Sequence, residues 1–164
     1  MAGGATRPFR VLVLCTGNSA RSQIAEALLA TRGGGRIEAS SAGSRPAARV
    51  NPFAIEVLRE HDIAWEGRTP RSIDDVAGAG DRFDLVITVC DNARDACPFF
   101  PGAHAQVHWG LSDPADELEP GAARRAFAET FDALASRVDR LLALPLERLD
   151  PATLRERAQA VHGA

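Results

Sequence analysis

One eight-residue segment near the amino terminus has the residue types needed for chemistry on an anion. It reads Cys15-Thr16-Gly17-Asn18-Ser19-Ala20-Arg21-Ser22, and it lies between the apolar run Val11-Leu12-Val13-Leu14 and an amphipathic stretch that reaches Thr31. A tight loop that joins a strand to a helix points backbone N–H groups at one place, and the helix end adds partial positive charge there. The planar guanidinium of Arg21 is suited to two oxygens of a tetrahedral anion. The segment therefore predicts a nucleophilic cysteine at the base of an oxyanion-binding loop.

Each remaining residue of this loop has an expected role. Gly17 leaves room for an oxyanion and can take a positive φ, and Asn18 is among the few other residues that tolerate the left-handed region. The hydroxyl of Ser22 is placed to donate to the Cys15 sulfur. Together with Arg21 and the loop amides, it favours the thiolate, so we expect a lowered pKa for Cys15. The oxyanion-binding residues are predicted as Thr16, Gly17, Asn18, Ser19, Ala20, Arg21 and Ser22.

Two more cysteines, Cys90 and Cys97, indicate redox chemistry rather than simple hydrolysis. If the strand that ends at Cys90 neighbours the first strand, the Cα atoms of Cys15 and Cys90 lie about 5 Å apart, within disulfide range. A helix from Cys90 to Cys97 would separate those two by about 10 Å, so a bond between them requires that turn to unwind. Asp91, Asn92 and Asp95 are poor helix formers and Pro98 prevents continuation. The plainer alternative is a pair of buried core cysteines.

A candidate acid follows the last predicted strand, at the sheet edge where Cys15 is expected. Asp113 precedes Pro114, which restricts it to an extended backbone and so aims its carboxyl group. Such a group can protonate a leaving oxygen. The alternative is an ordinary Asp-Pro turn, and the nearest rival acids are Asp116 and Glu117.

The hydrophobic pattern predicts an α/β protein with a parallel sheet and helices on both sides. Its predicted strands cover residues 10–15, 36–42, 83–90 and 105–109, and its predicted helices cover 20–31, 51–61, 72–79, 122–142 and 151–161. The longest helix is expected to cover the core rather than bind a partner. We expect a disordered tail over residues 1–9 and a single domain over 10–164.

Composition narrows the classes of partner. The chain has 164 residues and a net charge of −3, which gives no reason to expect nucleic acid or an acidic membrane. It has no apolar run of membrane-spanning length and no secretory signal at residues 1–10. Three cysteines are too few for a disulfide scaffold, which favours a reducing, cytoplasmic compartment. We expect a monomer that needs no metal and no organic cofactor.

Taken together, these segments resemble the thioredoxin-coupled arsenate reductases of the low-molecular-weight tyrosine phosphatase superfamily. The resemblance rests on Cys15 to Ser22, Ser41-Ala42-Gly43, Asn51-Pro52, Val89-Cys90 with Cys97-Pro98, and His108-Trp109-Gly110 before Asp113-Pro114. It implies a three-layer fold with a four-stranded parallel sheet in the order 2-1-3-4. It also implies that arsenate is attacked by Cys15 with help from Asp113, that a disulfide passes through Cys90 to Cys97, and that thioredoxin reduces it.

Two other functions remain open at this stage. A phosphatase would use Cys15, Arg21 and Asp113 without the other cysteines, although the chain has no tyrosine and the loop after Pro114 is acidic and not aromatic. A non-enzymatic oxyanion or redox sensor is the third possibility. The physiological reductant, whether thioredoxin, glutaredoxin or another thiol, is not determined by these residues.

The resemblance also implies a potassium site beside the loop, with counterparts at Asn18, Glu26 and Ser41. An acidic ligand is expected two residues after Thr69, where this chain has Arg71. A guanidinium there can replace the cation by pairing with Glu26, so we expect no potassium dependence. Some relatives have a further cysteine at the position of Ala20. The expected passage of a disulfide through Cys90 to Cys97 does not need that cysteine. Packing or surface roles are expected for Trp65, Trp109, His104 and His108.

Overall fold

A computed structural model describes residues 7–65 and 68–163 of the chain. Four strands and six helices alternate along it, with short 3₁₀ turns at Gly34–Arg36, Pro114–Asp116 and Leu146–Arg148. In chain order the elements are β1 (Phe9–Cys15), α1 (Arg21–Gly33), β2 (Ile37–Gly43), α2 (Pro52–Glu60), α3 (Ile73–Gly78), β3 (Leu85–Thr88), α4 (Asp91–Ala96), β4 (Gln106–His108), α5 (Pro120–Leu142) and α6 (Pro151–Gly163).

The strands form one parallel sheet in the order β2-β1-β3-β4, which confirms the predicted topology. β1 pairs with β2 from Phe9↔Ile37 to Cys15↔Gly43, and with β3 from Val11↔Leu85 to Leu14↔Thr88. As one of the two central strands it is almost wholly buried, which explains its continuous apolar sequence. The carboxyl ends of β1 and β3 therefore meet at one edge, where a parallel sheet forms its binding crevice.

Helices flank this sheet and close the core. α1 packs against both α2 and α5, while α6 packs against β4 and α5. The side chains of Trp109 and Phe127 are among the largest that are fully buried. Asn51 caps α2 and Ser72 caps α3, and these are the first residues of the predicted helices 51–61 and 72–79. None of the helices in the described part of the chain is both long enough and apolar enough to cross a bilayer.

The third strand is shorter than the predicted 83–90. It spans only Leu85–Thr88, because Cys90 leaves the strand to cap α4 and Phe83 makes only an isolated bridge to Ala103. α5 begins at Pro120, two residues before the predicted start, because the carboxylate of Glu119 accepts hydrogen bonds from its first-turn amides.

The start of the chain differs in part from the expected tail over 1–9. Phe9 belongs to β1, and the guanidinium of Arg7 binds the carboxylate of Asp84 with two contacts of 2.8 Å. Residues 1–6 lie outside the described residues. The single domain expected over 10–164 stays a prediction.

The close approach of Gly43, at the end of β2, to the loop after β1 can be tested by substitution. A Cβ atom there would collide with the carbonyl oxygen of Thr16 and lie 2.9 Å from the amide nitrogen of Asn18. Both are backbone atoms, so the loop itself must move. We expect Gly43→Ala to lower the free energy of unfolding by about 1–3 kcal/mol, measured by urea denaturation.

Gly78 is the matched control for this substitution. A Cβ atom at this helical position meets nothing within 4 Å. Gly78→Ala should leave stability unchanged or raise it by a few tenths of a kcal/mol, because alanine is the better helix former. Equal effects of the two substitutions would contradict the close approach of Gly43 to the loop.

Candidate active site

Cys15 is the last residue of β1, and its sulfur lies at the base of the loop that leads into α1. The side chain is buried, with 2% of the residue exposed. The hydroxyl of Ser22 lies 2.8 Å from Sγ, and the backbone N–H of Asn18 donates to Sγ at 3.2 Å. α1 begins at Arg21 with no side-chain cap, so its first amides have no side-chain acceptor there.

Asn18 directs these hydrogen bonds. It adopts the predicted left-handed conformation, with φ of 50°, and its side-chain amide donates to the hydroxyls of Ser22 and Ser41, both at 2.8 Å. Since the Ser22 oxygen accepts from Asn18, its own hydrogen is free to donate to the sulfur of Cys15. The side-chain oxygen of Asn18 accepts from the backbone N–H of Arg71 at 2.9 Å. The orientation of the Ser22 hydroxyl is therefore fixed by a fully used amide.

The loop is also held through its backbone. The carbonyl oxygens of Cys15, Thr16, Gly17 and Ser19 accept from amides of residues 44–51, at 2.8 to 3.1 Å. These hydrogen bonds tie the loop to the segment that follows β2. Gly17 does not have the positive φ that we expected. Asn18 makes the sharp turn instead, and a Cβ at Gly17 would lie 3.2 Å from the Ser19 hydroxyl oxygen.

The expected low pKa of Cys15 is not what the structure gives. Burial raises the pKa of the Cys15 thiol above its ordinary value, because removing a thiolate from water is costly. The hydrogen bonds from Ser22 and Asn18 and the charge of Arg21 act in the opposite direction but do not outweigh burial. The sequence showed the donors but not the depth at which the fold places the sulfur.

Arg21 and Asp113 meet across the site. Nη1 of Arg21 donates to the carbonyl oxygen of Leu111 at 2.8 Å, and Nη2 lies 3.5 Å from a carboxylate oxygen of Asp113. The other carboxylate oxygen of Asp113 accepts from the backbone N–H of Ala115 at 3.0 Å. The structure thus brings the predicted arginine and acid together, and the carbonyl of Leu111, which no sequence signal indicated, helps to hold the arginine.

An open cleft lies over this pair. Residues from the loop, from α4 and from the segment after β4 line it, namely Thr16, Arg21, Cys90, Asp91, Asn92, Arg94, His108, Gly110, Leu111, Ser112, Asp113, Asp116 and His162. Cys15, which is almost wholly buried, is not among the residues that line the cleft. Of the two rival acids, Asp116 lines it and Glu117 does not.

Cys90 lies beside Thr16 rather than beside Cys15. The pairing Leu14↔Thr88, continued along both strands, sets Cys90 opposite Thr16, and the sulfur lies 3.2 Å from the Thr16 hydroxyl. Cys90 is therefore offset by one residue from Cys15, and successive side chains point to opposite faces of a sheet. In a regular sheet two Cα atoms with this offset lie about 6 Å apart, which is within the range for a disulfide once Cys90 turns.

Cys97 closes the other end of α4. Its N–H donates to the carbonyl of Ala93 at 2.9 Å, and its own carbonyl accepts from the side-chain amide of Gln106 at 2.8 Å. The segment between the two cysteines is helical, as the sequence argument assumed. Burial and the negative charge of Asp74 raise the pKa of the Cys97 thiol. Cys97 is thus a weak nucleophile while α4 stays folded.

Beside the loop, Glu26 has an arginine partner, but not the expected one. Arg68 lies 3.2 Å from its carboxylate, whereas a guanidinium nitrogen of Arg71 donates to the backbone carbonyl of Ser41. The hydroxyl of Ser41 donates to Glu26 at 2.6 Å. Burial raises the pKa of Glu26, and Ser41, Arg68 and Arg71 oppose this shift. In the described residues, no group of three or more His, Cys, Asp or Glu side chains is placed to hold a metal.

The four aromatic and histidine residues expected to be packing or surface residues have different environments. Trp109 is a core residue, and His104 is exposed beside Asp84. Trp65 is buried but donates to the side chain of Gln23, which in turn donates to the loop carbonyl of Asn18. His108 lines the cleft, which corrects its expected role, and no spacing signal distinguished it.

Comparison with known proteins agrees with this site. Residues 10–159 match the profile for low molecular weight phosphotyrosine protein phosphatases. The chain belongs to this family. Arsenate reductase 1 of Bacillus cereus is 41% identical over 130 residues, which cover 73% of this chain and 94% of that protein.

Solved structures of the family extend the comparison. A thioredoxin-dependent arsenate reductase of Corynebacterium glutamicum is 33% identical with a TM-score of 0.64, over 84% of this chain and 62% of that chain. An arsenate reductase in a phosphate-binding state is 30% identical with a TM-score of 0.69, over 82% of this chain and 97% of that chain. The resemblance inferred from the motifs is therefore confirmed.

The hydroxyl of Ser22 provides a test of the forces on Cys15. Ser22→Ala removes a hydrogen bond that lowers the pKa of Cys15, so the pKa should rise further above its ordinary value. Thiolate forms as pH rises, so the alkylation rate of Cys15 should rise at higher pH in the variant than in the parent. Iodoacetamide labelling followed by mass spectrometry of the Cys15 peptide measures this.

Ser40→Ala is the control, because that hydroxyl is not a hydrogen-bond partner of the sulfur. Its labelling profile should match the parent profile. An unchanged Ser22→Ala profile would show that the Ser22 hydroxyl has no influence on the thiolate.

Proposed function

We propose that this chain is an arsenate reductase that forms a Cys15 adduct and regenerates itself through Cys90, Cys97 and thioredoxin. One observation carries the proposal. A second thiol, Cys90, lies 3.2 Å from the residue that follows Cys15 and lines the same cleft as Arg21 and Asp113. Phosphoester hydrolysis has no use for a thiol in that place, whereas reduction of an oxyanion needs one.

The first step takes place at the loop. Arsenate binds to the amides before α1 and to the free donors of Arg21, which has more N–H groups than Leu111 and Asp113 use. The Cys15 thiolate attacks arsenic, and one oxygen leaves as water with a proton from Asp113. Because burial raises the pKa of Cys15, the reactive thiolate depends on the donors of Ser22 and Asn18.

Electrons move in the second step. The Cys90 thiolate attacks the Cys15 sulfur, a sulfur–sulfur bond forms, and the electron pair of the arsenic–sulfur bond stays on arsenic. Arsenate is thereby reduced to arsenite, and two thiols are oxidised. Support for this step comes from the Thr16 hydroxyl, which can donate to the Cys90 thiolate and hold it at the mouth of the loop.

The third step moves the disulfide outward. Cys97 attacks Cys90, which returns Cys15 to the thiolate, and the new bond requires α4 to unwind because a helix holds the two Cα atoms about 10 Å apart. α4 has only six residues, of which Ala93 alone is buried. A dithiol reductant then restores Cys90 and Cys97 by exchange. Thioredoxin is proposed because a structural relative is described as thioredoxin-dependent.

The remaining properties follow from this proposal. The substrate is a tetrahedral oxyanion, arsenate or one like phosphate, and neither nucleic acid nor membrane is a partner. The proposed compartment is the cytoplasm, because the relay works only where thiols are kept reduced. The proposed state is a monomer without metal or organic cofactor, and the proposed site residues are those of the loop with Asp113, Cys90 and Cys97.

Phosphoester hydrolysis is the second candidate, since Cys15, Arg21 and Asp113 suit it equally well. The described lining of the cleft includes no phenylalanine, tyrosine or tryptophan, and it carries the carboxylates of Asp91, Asp113 and Asp116 beside the guanidinium groups of Arg21 and Arg94. Such a surround does not favour a phosphotyrosine peptide. Hydrolysis of small phosphoesters is thus expected only as a side reaction.

Potassium independence is tested through Arg68. In the parent, arsenate turnover should be equal in potassium chloride and in tetramethylammonium chloride of the same ionic strength. Arg68→Ala removes the cation beside the buried Glu26 carboxylate, so activity should fall and added potassium should restore part of it. A parent that needs potassium would contradict the proposal that an arginine replaces the ion.

Cys90→Ser gives the decisive test of the relay. The variant keeps Cys15, Arg21 and Asp113, so it should hydrolyse para-nitrophenyl phosphate at the parent rate. Without the second thiol no disulfide forms on Cys15, and multiple turnover of arsenate with thioredoxin should be lost. Steady arsenite release, measured against protein concentration, distinguishes one round from many.

Cys15→Ser is the control and should abolish both reactions. A non-reducing peptide map of the parent after one equivalent of arsenate should show a link between Cys90 and Cys97. Repeated turnover by Cys90→Ser would refute the relay, and an adduct of Cys15 with an added thiol would point to an external reductant acting directly.

A further inference from the structure

The side chain of His108 bridges β3 and the helix that carries the two relay cysteines. Its Nδ1 lies 2.7 Å from the hydroxyl of Thr88 in β3, and its Nε2 lies 2.9 Å from a carboxylate oxygen of Asp91. Asp91 is the first residue of α4 and follows Cys90 directly. One imidazole therefore connects the rigid sheet to the end of α4 where the relay begins.

The sheet side of this bridge is firmly held. The backbone N–H of His108 donates to the side chain of Gln159, whose amide donates back to the His108 carbonyl, at 2.8 and 2.7 Å. The next residue, Trp109, is fully buried, and its N–H donates to the Thr88 carbonyl at 2.7 Å. α6 and β3 thus hold the backbone around His108, and the Thr88 hydroxyl holds Nδ1 of the imidazole, so Nε2 is the ring nitrogen that contacts Asp91.

The helix side is weakly held. In α4, Asp91, Asn92, Arg94, Asp95 and Ala96 are exposed. Ala93 is buried. At the start of the helix, the Cys90 sulfur caps it and contacts the Thr16 hydroxyl, and the Asp91 carboxylate contacts His108 and, at 3.8 Å, Arg94 of the same helix. A short, exposed helix has little stability of its own. A single hydrogen bond to a carboxylate therefore has a large effect on the equilibrium between its helical and unwound forms.

Gly110 is a second observation that bears on the contact between His108 and Asp91. A Cβ atom there would lie 2.9 Å from Nε2 of His108 and 3.7 Å from the Asp91 carboxylate. A side chain here would therefore press on the His108 ring, whereas 3.7 Å is an ordinary contact with the carboxylate. Glycine at this position leaves room for the imidazole.

We propose that His108 is a positioning residue that latches α4 in its helical, dithiol form and thereby sets the reduction potential of the Cys90–Cys97 pair. This inference rests on the disulfide relay of the proposed function. The latch stabilises only the reduced form, because the disulfide requires α4 to unwind. Breaking it makes the disulfide easier to form and harder to reduce.

The test measures the equilibrium between dithiol and disulfide in the full chain carrying Cys15→Ser, so that only Cys90 and Cys97 can pair. Samples equilibrate in glutathione buffers of graded ratio, are quenched and alkylated, and are mapped by non-reducing mass spectrometry. His108→Ala and Asp91→Ala should each favour the disulfide about tenfold, the effect of losing one hydrogen bond to a charged group. That corresponds to a potential lower by about 30 mV.

The double variant separates a latch from general loosening. If the two side chains act through one contact, His108→Ala with Asp91→Ala should shift the equilibrium little more than either change alone. His108→Gln, whose amide can still donate to Asp91, should restore part of the parent value. Asp95→Ala is the matched control, since this carboxylate contacts Arg94 on the same helix and should cause no comparable shift.

Thermal unfolding of each reduced variant verifies that it is folded. Additive shifts, or an equal shift in Asp95→Ala, would overturn the latch while leaving the relay intact. A parent chain that forms no Cys90–Cys97 disulfide in any buffer would overturn the relay and the latch together.

Discussion

The carboxamide of Asn18 is the interaction on which the site depends. Both of its hydrogens and its oxygen are engaged, which fixes the Ser22 hydroxyl towards the sulfur of Cys15 and ties the loop to Ser41 and Arg71. Its positive φ, which asparagine tolerates, makes the sharp turn of the loop, while Gly17 has no positive φ. A buried polar group without these partners would cost about 1–3 kcal/mol, so the network holds only when it is complete.

Burial and hydrogen bonding oppose each other at the nucleophile. The depth of Cys15 keeps water from the reacting sulfur but raises its pKa, while Ser22, Asn18 and Arg21 favour the thiolate. Arg21 contacts Asp113, so the guanidinium that is proposed to bind the anion also contacts the proposed acid. A bound oxyanion would meet preorganised donors, which is where enzymes of this type gain most of their rate.

The three thiols differ in burial and position, and these differences fit the order of the proposed disulfide relay. Cys15 is buried, Cys90 lines the cleft beside Thr16, and Cys97 sits at the far end of a six-residue helix. Of the proposed steps, only the last requires a large movement, and it falls on the α-helix with the fewest buried residues in the described part of the chain. The sheet edge, by contrast, is held rigid by Trp109 and Gln159.

Much of this was determined by local sequence. The apolar run of β1, the caps Asn51 and Ser72 and the order of strands and helices follow from residue types and periodicity, because these act over a few neighbouring positions. The loop Cys15 to Ser22 carries its chemistry in the same local way. The helix between Cys90 and Cys97 was not predicted in this way, because its residues are poor helix formers and the spacing argument treated a helix there only as a condition.

Tertiary structure alone decided the rest. The register of β1 against β3 set Cys90 opposite Thr16, which no local pattern contains. The depth of Cys15 reversed the expected direction of its pKa shift, because burial is a property of the assembled core. For the same reason, the sequence did not show that His108 lines the cleft or that Arg68 rather than Arg71 contacts Glu26. Contacts between residues distant in the chain depend on how the elements pack, and the sequence near each residue does not encode that packing.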